Sequence, residues 1–143
     1  MIKMINFDMD GTLADFYGVE NWLDYLMNED TTPYEMAKPL LNMQALARVL
    51  NRLHREGYQI NIISWTSKCG SAEFNARIAE VKAHWLAKHL ASVAFDSIAV
   101  IPYGSPKWLE GDGILFDDEE QNRLDWGEGA YDVTDIIKVL KAL

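Results

Sequence analysis

Cysteine is almost absent. Cys69 is the only one, so no internal disulfide can form, and a reducing compartment is expected. Cationic side chains are also scarce: 13 Lys and Arg stand against 22 Asp and Glu, a formal net charge of −9. Affinity for a nucleic-acid backbone comes mostly from Lys and Arg, so a nucleic-acid polymer is not an expected partner. The acid excess reads first as solubility. Long apolar runs are missing as well. None approaches the ~20 residues of a membrane span, and no basic segment leads into a long apolar stretch. A soluble, cytoplasmic protein with no membrane partner is the expectation. No repeat, low-complexity segment or linker divides the 143 residues, and 49% of them are apolar, enough for one domain with its own core.

What is present begins with Ile5-Asn6-Phe7-Asp8-Met9-Asp10-Gly11-Thr12. Two carboxylates, two residues apart, close an apolar segment. In a regular strand Asp8 and Asp10 would share a face. Gly11 lets the backbone turn sharply after them. Acids beside a core are costly unless paired, and a divalent cation is the expected partner.

The hydrophobic pattern alternates between two periods. Residues 2–7, 58–64, 97–101 and 113–116 read as strands, with a fifth short one at 130–133. Residues 40–56 carry Met43, Leu46, Leu50 and Leu53 on one helical stripe, with Val49 beside them and Gly57 as the terminating residue. Residues 71–90 carry Phe74, Ile78, Val81, Trp85 and Leu86. Residues 14–38 are mixed, an aromatic helix interrupted by Pro33, and Thr134 is the expected cap of a last helix running to Leu143. Alternating strands and helices predict an α/β fold, a three-layer Rossmann-like parallel sheet with right-handed crossovers. Asp8, Ser64 and the pair Asp117-Asp118 then fall at carboxyl ends of strands and converge on one sheet edge, where open α/β sheets bind ligands.

Four elements thus recur in order: Asp8-Met9-Asp10-Gly11-Thr12, then Ser64, then Lys107, then Ile114-Leu115-Phe116-Asp117-Asp118. This ordered set resembles the four motifs of the haloacid dehalogenase-like phosphohydrolase superfamily, over residues 5–118. The resemblance implies a Mg²⁺-dependent phosphomonoesterase acting on a small phosphorylated substrate. Asp8 would be the nucleophile, forming an aspartyl-phosphate, and Asp10 the acid and base. Mg²⁺ would be held by Asp8, by the backbone carbonyl of Asp10 and by an acid of the final pair. Asp118 is preferred there as the direct ligand, with Asp117 behind it. Ser64 would bind a phosphoryl oxygen and Lys107 would offset the negative charge. Thr66 replaces Ser64 if the strand runs longer. Asp112 reads as a turn residue.

In this superfamily a cap often sets substrate choice, and residues 15–39 are the segment left for a small helical cap. The run Asp8 to Phe16 (DMDGTLADF) also looks like the opening of the 5′(3′)-deoxyribonucleotidases, DMDGVLADF. That likeness implies a nucleotide substrate, with Phe16, aided by Tyr17 and Trp22, beside a flat ring; Gly11, Thr12 and Thr66 are the further candidate substrate-binding residues.

Blander readings compete. A DxDG run also occurs in calcium loops, but Leu13 and Ala14 break the EF-hand ligand pattern. His54, His84 and His89 read as helix-surface residues, and Trp65, Trp85, Trp108 and Trp126 as packing residues. A phospho-receiver domain combines acids, Ser/Thr and Lys on a similar sheet, but its adjacent acid pair follows the first strand; here the pair follows the fourth. A catalytically idle binding protein is the remaining alternative.

Overall fold

A computed structural model describes residues 3–143. Ile2, assigned by pattern to the first strand, lies outside them. Strands β1 (Lys3–Phe7), β2 (Tyr58–Trp65), β3 (Ser97–Ile101), β4 (Ile114–Phe116) and β5 (Ala130–Tyr131) form one sheet in the order β3-β2-β1-β4-β5. Every pairing is parallel. The central strands read as near-continuous apolar runs because both faces of a parallel sheet are covered. Ile5, Asn6 and Phe7 of β1 are all buried, as are Ile60 to Ser64 of β2.

The helices are α1 (Trp22–Met27), α2 (Thr32–Met36), α3 (Met43–Arg55), α4 (Ala72–His89), α5 (Glu120–Trp126) and α6 (Ile136–Ala142). Two of their starts follow from side chains that accept the first free backbone N–H groups: Asn42 accepts from Ala45 N, and Ser71 from Phe74 N. Gly57, at φ 99°, ends α3 in the left-handed conformation, as its position predicts. Leu46, Leu50 and Leu53 of α3 pack with Ile5 and Phe7 of β1 and with Ile136 and Leu140 of α6 in the main core. Asn6, on the opposite face of β1, donates to the Asp112 and Ile114 carbonyls and accepts from Asn61.

Three local expectations change. Thr134 does not cap the last helix. A 3-10 turn, Val133–Asp135, intervenes, the Thr134 hydroxyl goes to Asp132, and α6 starts at Ile136. β5 is two residues long rather than four. The acids after β4 lead into α5, which sequence periodicity does not reveal because only Asn122 of that helix is buried.

Residues 15–39 hold α1 and α2, and they are moored to the amino-terminal half of α4. Phe16, Tyr34, Phe74 and Ile78 form a second apolar cluster, flanked by Trp22, Leu26 and Val81. Ser71 adds two hydrogen bonds to the Glu29 carboxylate. Among the described residues no helix is long and apolar enough to cross a membrane.

Candidate active site

Asp8 follows β1 directly, and its N–H donates to the Phe116 carbonyl on β4, which locks the start of the loop to the sheet. The next turn is tight: the Met9 carbonyl accepts from the N–H groups of Thr12, Leu13 and Ala14. Gly11 sits at φ 80°, and a β-carbon there would collide with the Asp118 carboxylate. The loop after β4 thus lies against the loop after β1, and the two acid motifs meet.

One carboxylate oxygen each of Asp8, Asp117 and Asp118 lie within 4.8 Å of one another. The Lys107 ammonium donates to Asp8 Oδ1 at 2.9 Å and to Asp117 Oδ2 at 2.8 Å. The Thr12 hydroxyl reaches Asp8 Oδ2 at 3.1 Å and Asp118 Oδ1 at 3.3 Å. Asp117 is fully buried and both its oxygens are engaged, Oδ1 by Glu119 N–H and Oδ2 by Lys107 and Asn122. Asp118 is half-buried, and Thr12 holds its carboxylate.

Asp10 points elsewhere. Its carboxylate pairs with Lys82 of α4 at 3.1 Å, and that ammonium also donates to Ser64 Oγ at 2.7 Å and to the Trp65 carbonyl at 2.8 Å. The regular alternation that would align Asp8 with Asp10 ends at Phe7, and the Asp10 side chain lies outside the group of three carboxylates. Sequence reasoning misses Lys82. Its signal is there, four residues after Ile78 on the apolar stripe of α4 and 1% exposed. A lone lysine on such a stripe reads as a side chain that snorkels to water.

Four carboxylates therefore meet two ammonium groups, leaving two negative charges in a mostly buried place. That excess of acid, together with burial, shifts the pKa values of the group. Burial raises Asp118 and Asp117, and the neighbouring Asp8 charge raises both further. Burial also raises Asp10, partly opposed by Lys82. Burial works against the charged form of Lys107, but Asp8 and Asp117 outweigh it and its pKa rises. An all-oxygen donor set with excess negative charge fits a hard divalent cation such as Mg²⁺.

These groups open into a cleft of about 250 Å³. Asp8, Asp10, Ser64, Thr66 and Lys107 line it. β2 runs one residue beyond the expected Ser64, to Trp65, so Thr66 stands just past the strand with its N–H on the Ile101 carbonyl. Ser64 is 1% exposed, with Lys82 on its hydroxyl. Phe16 is 3% exposed, packed 4.6 Å from the Tyr34 ring, whereas Tyr17 is 50% exposed beside it. Tyr17 lines the cleft with Asp8 and Asp10; burial, and then the negative charges of Asp10 and Asp118, raise its hydroxyl pKa.

Of the tryptophans expected to pack, Trp85 does so in the core. Trp65 instead lines the cleft with Tyr103, their rings 5.1 Å apart, because its indole N–H is drawn to the Ser105 carbonyl. Trp108 is 52% exposed, and Trp126 is half-buried with its indole N–H on the Gly113 carbonyl. His54 and His84 are exposed, and His89 lies against Trp85. Asp112 accepts from Gly113 N–H in a turn.

No family model matches the chain, and no curated protein matches it either. Solved structures do. The D,D-heptose 1,7-bisphosphate phosphatase from Burkholderia thailandensis superposes with a TM-score of 0.60 at 13% identity, covering 98% of this chain and 97% of that one. The D,D-heptose 1,7-bisphosphate phosphatase from B. bronchiseptica, complexed with magnesium and phosphate, gives 0.58 at 11% identity, with 99% of each chain covered. The likeness extends over whole chains, and at this identity it establishes the shared fold.

Proposed function

We propose that the protein is a Mg²⁺-dependent phosphomonoesterase that works through an aspartyl-phosphate on Asp8. The observation that carries this reading is the meeting of Asp8, Asp117, Asp118 and Lys107 at the carboxyl edge of the sheet, with Asp10 lining the same cleft as Asp8 and Lys107. The shared fold with two phosphatases, one of them holding magnesium and phosphate, supports it.

Asp8 attacks the phosphorus, the bond to the ester oxygen breaks, and the departing alkoxide takes the proton of Asp10. Asp10 then accepts a proton from water, whose oxygen attacks the same phosphorus. Inorganic phosphate leaves and Asp8 is regenerated. Lys107 holds the Asp8 carboxylate in place and balances the charge that gathers on the phosphoryl oxygens. Asp8 and Asp118, with Asp10 through its backbone carbonyl, would hold Mg²⁺. Asp117, whose oxygens are all engaged, is the supporting acid rather than the direct ligand. The ion would draw charge from the phosphoryl group and orient it for in-line attack. Thr12 holds the Asp8 and Asp118 carboxylates, and Gly11 leaves the space that the Asp118 carboxylate fills. Thr66, at its mouth, is available to a phosphoryl oxygen, and Ser64 anchors Lys82.

The finer reading is a nucleoside monophosphate substrate. The rings of Tyr17, Trp22, Trp65 and Tyr103 line the cleft and suit a flat base. Phe16 supports Tyr17 from beneath. Phosphate release from a panel of nucleoside monophosphates, sugar phosphates and an aryl phosphate, with and without Mg²⁺, is the test. Turnover that needs Mg²⁺ and disappears in Asp8→Asn is expected. Equal turnover in that variant and wild type removes the nucleophile assignment.

A further inference from the structure

Lys82 is a cation that the chemistry above does not use, and it is almost completely buried. An ammonium has three N–H donors and no acceptor. Here it donates to Ser64 Oγ at 2.7 Å and to the Trp65 carbonyl at 2.8 Å, and it forms an ion pair with Asp10 Oδ2 at 3.1 Å. The Tyr34 ring, from α2, covers the fourth side at 5.4 Å from Nζ. Both hydrogen-bond acceptors belong to the end of β2, in the sheet, and the ion-pair partner belongs to a turn.

That turn lies beyond the end of β1 at Phe7, and its backbone is held by the Asp10–Ala14 bridge while the Asp10 side chain is not. Among the described residues Lys82 is the only side chain that bonds the Asp10 carboxylate. Lys107 serves the other half of the site, Asp8 and Asp117. We infer that Lys82 is a positioning residue, fixing the Asp10 carboxylate against the end of β2 so that it faces the leaving oxygen of the ester. The inference rests on the phosphatase reading and adds a residue to it. Lys82 touches no reacting atom; it acts through Asp10.

A positioning role has a signature that a packing role lacks. A misplaced Asp10 matters when the leaving oxygen needs a proton and matters little when it does not. The value of kcat/KM reports the first phosphoryl transfer, so it isolates that step from later hydrolysis. The experiment compares Lys82→Met with wild type on an alkyl phosphate and on 4-nitrophenyl phosphate, whose phenolate departs unprotonated. The expected loss in kcat/KM is on the order of a hundredfold for the alkyl ester and under about tenfold for the aryl ester, the range of general acid catalysis.

Lys82→Arg, which keeps the charge and donors, recovers part of the alkyl rate. In an Asp10→Asn background Lys82→Met has little further effect on the alkyl ester, because both changes remove the same function. If Lys82→Met does not fold, Lys82→Gln takes its place and is judged by the same ratio. Equal losses on both esters, or loss on neither, overturn the assignment of Lys82 while wild-type turnover sustains the phosphatase reading. No turnover of either ester by wild type overturns both.

Discussion

Lys107 and Asp117 form a buried ion pair at 2.8 Å, and neither side chain has meaningful access to water. The same ammonium holds Asp8, so one lysine links the acid after β1 to the acid after β4. Removing one partner of a buried pair leaves an uncompensated charge, which costs about 3–5 kcal/mol. Lys107→Met is therefore expected to lower unfolding free energy by about 3 kcal/mol and to cut kcat by at least ~10²-fold. Urea denaturation and steady-state kinetics check the two parts. A variant as stable and as active as wild type would show that the pair does not organise the site.

Stability without a cation should fall as pH rises. Asp118 is raised from 3.8 to about 8, with burial the first cause and Asp8 the second. Between those values the folded chain keeps a proton that the unfolded chain has released, so raising pH favours unfolding. Lys107 is raised from 10.5, so its stabilisation is fully present throughout that window and is lost only above it. A bound cation replaces the proton, so the gain in Tm on adding Mg²⁺ should be small near pH 5 and grow toward pH 8. Thermal melts across that range, with Mg²⁺ or a chelator, measure it. A gain independent of pH contradicts the placement of the cation among these acids.

Two glycines in the same backbone region should respond differently to alanine. Gly57, at φ 99°, has nothing within 4 Å of where an alanine methyl would sit, so Gly57→Ala carries backbone strain alone, ~1 kcal/mol. Gly11, at φ 80°, would press its methyl into the Asp118 carboxylate. Gly11→Ala is expected to cost more stability than Gly57→Ala and also to weaken Mg²⁺ binding, which Gly57→Ala leaves unchanged. Calorimetric titration of Mg²⁺ beside urea melts separates the two effects.

Neighbouring aromatics should divide binding from folding. Phe16 is enclosed by Tyr34, Trp22 and Tyr17, so Phe16→Ala is expected to cost about 3–5 kcal/mol. Tyr17 is half exposed at the cleft, so Tyr17→Ala should change stability little and raise KM for ring-bearing phosphates several-fold. An unchanged KM across the whole panel argues against a ring stacked at this edge.

Much of this arrangement is legible in the chain because it depends on local periods. The stripes of α3 and α4 announce helices, and apolar runs ending in acids mark β1 and β4. Less legible are features whose signal is not local. α5 shows no apolar stripe because it buries almost nothing. Thr134 has the right chemistry for a cap, yet Asp132 nearby takes its hydroxyl first. Phe16 and Tyr17 are adjacent aromatics, and only the packing of α1 and α2 on α4 decides which is enclosed.

The sequence by itself determined the order of the strands and of the two long helices, the parallel sheet and the acid motifs at strand ends, since these follow from periodicity and from what each residue type can adopt. The tertiary structure alone decided how the charges are shared. Asp8 and Asp10 are two residues apart in the chain, but they answer to different lysines, Lys107 from the connection between β3 and β4 and Lys82 from α4. The physical reason is desolvation: a buried carboxylate must find a cation wherever the fold brings one, and sequence separation does not limit that search.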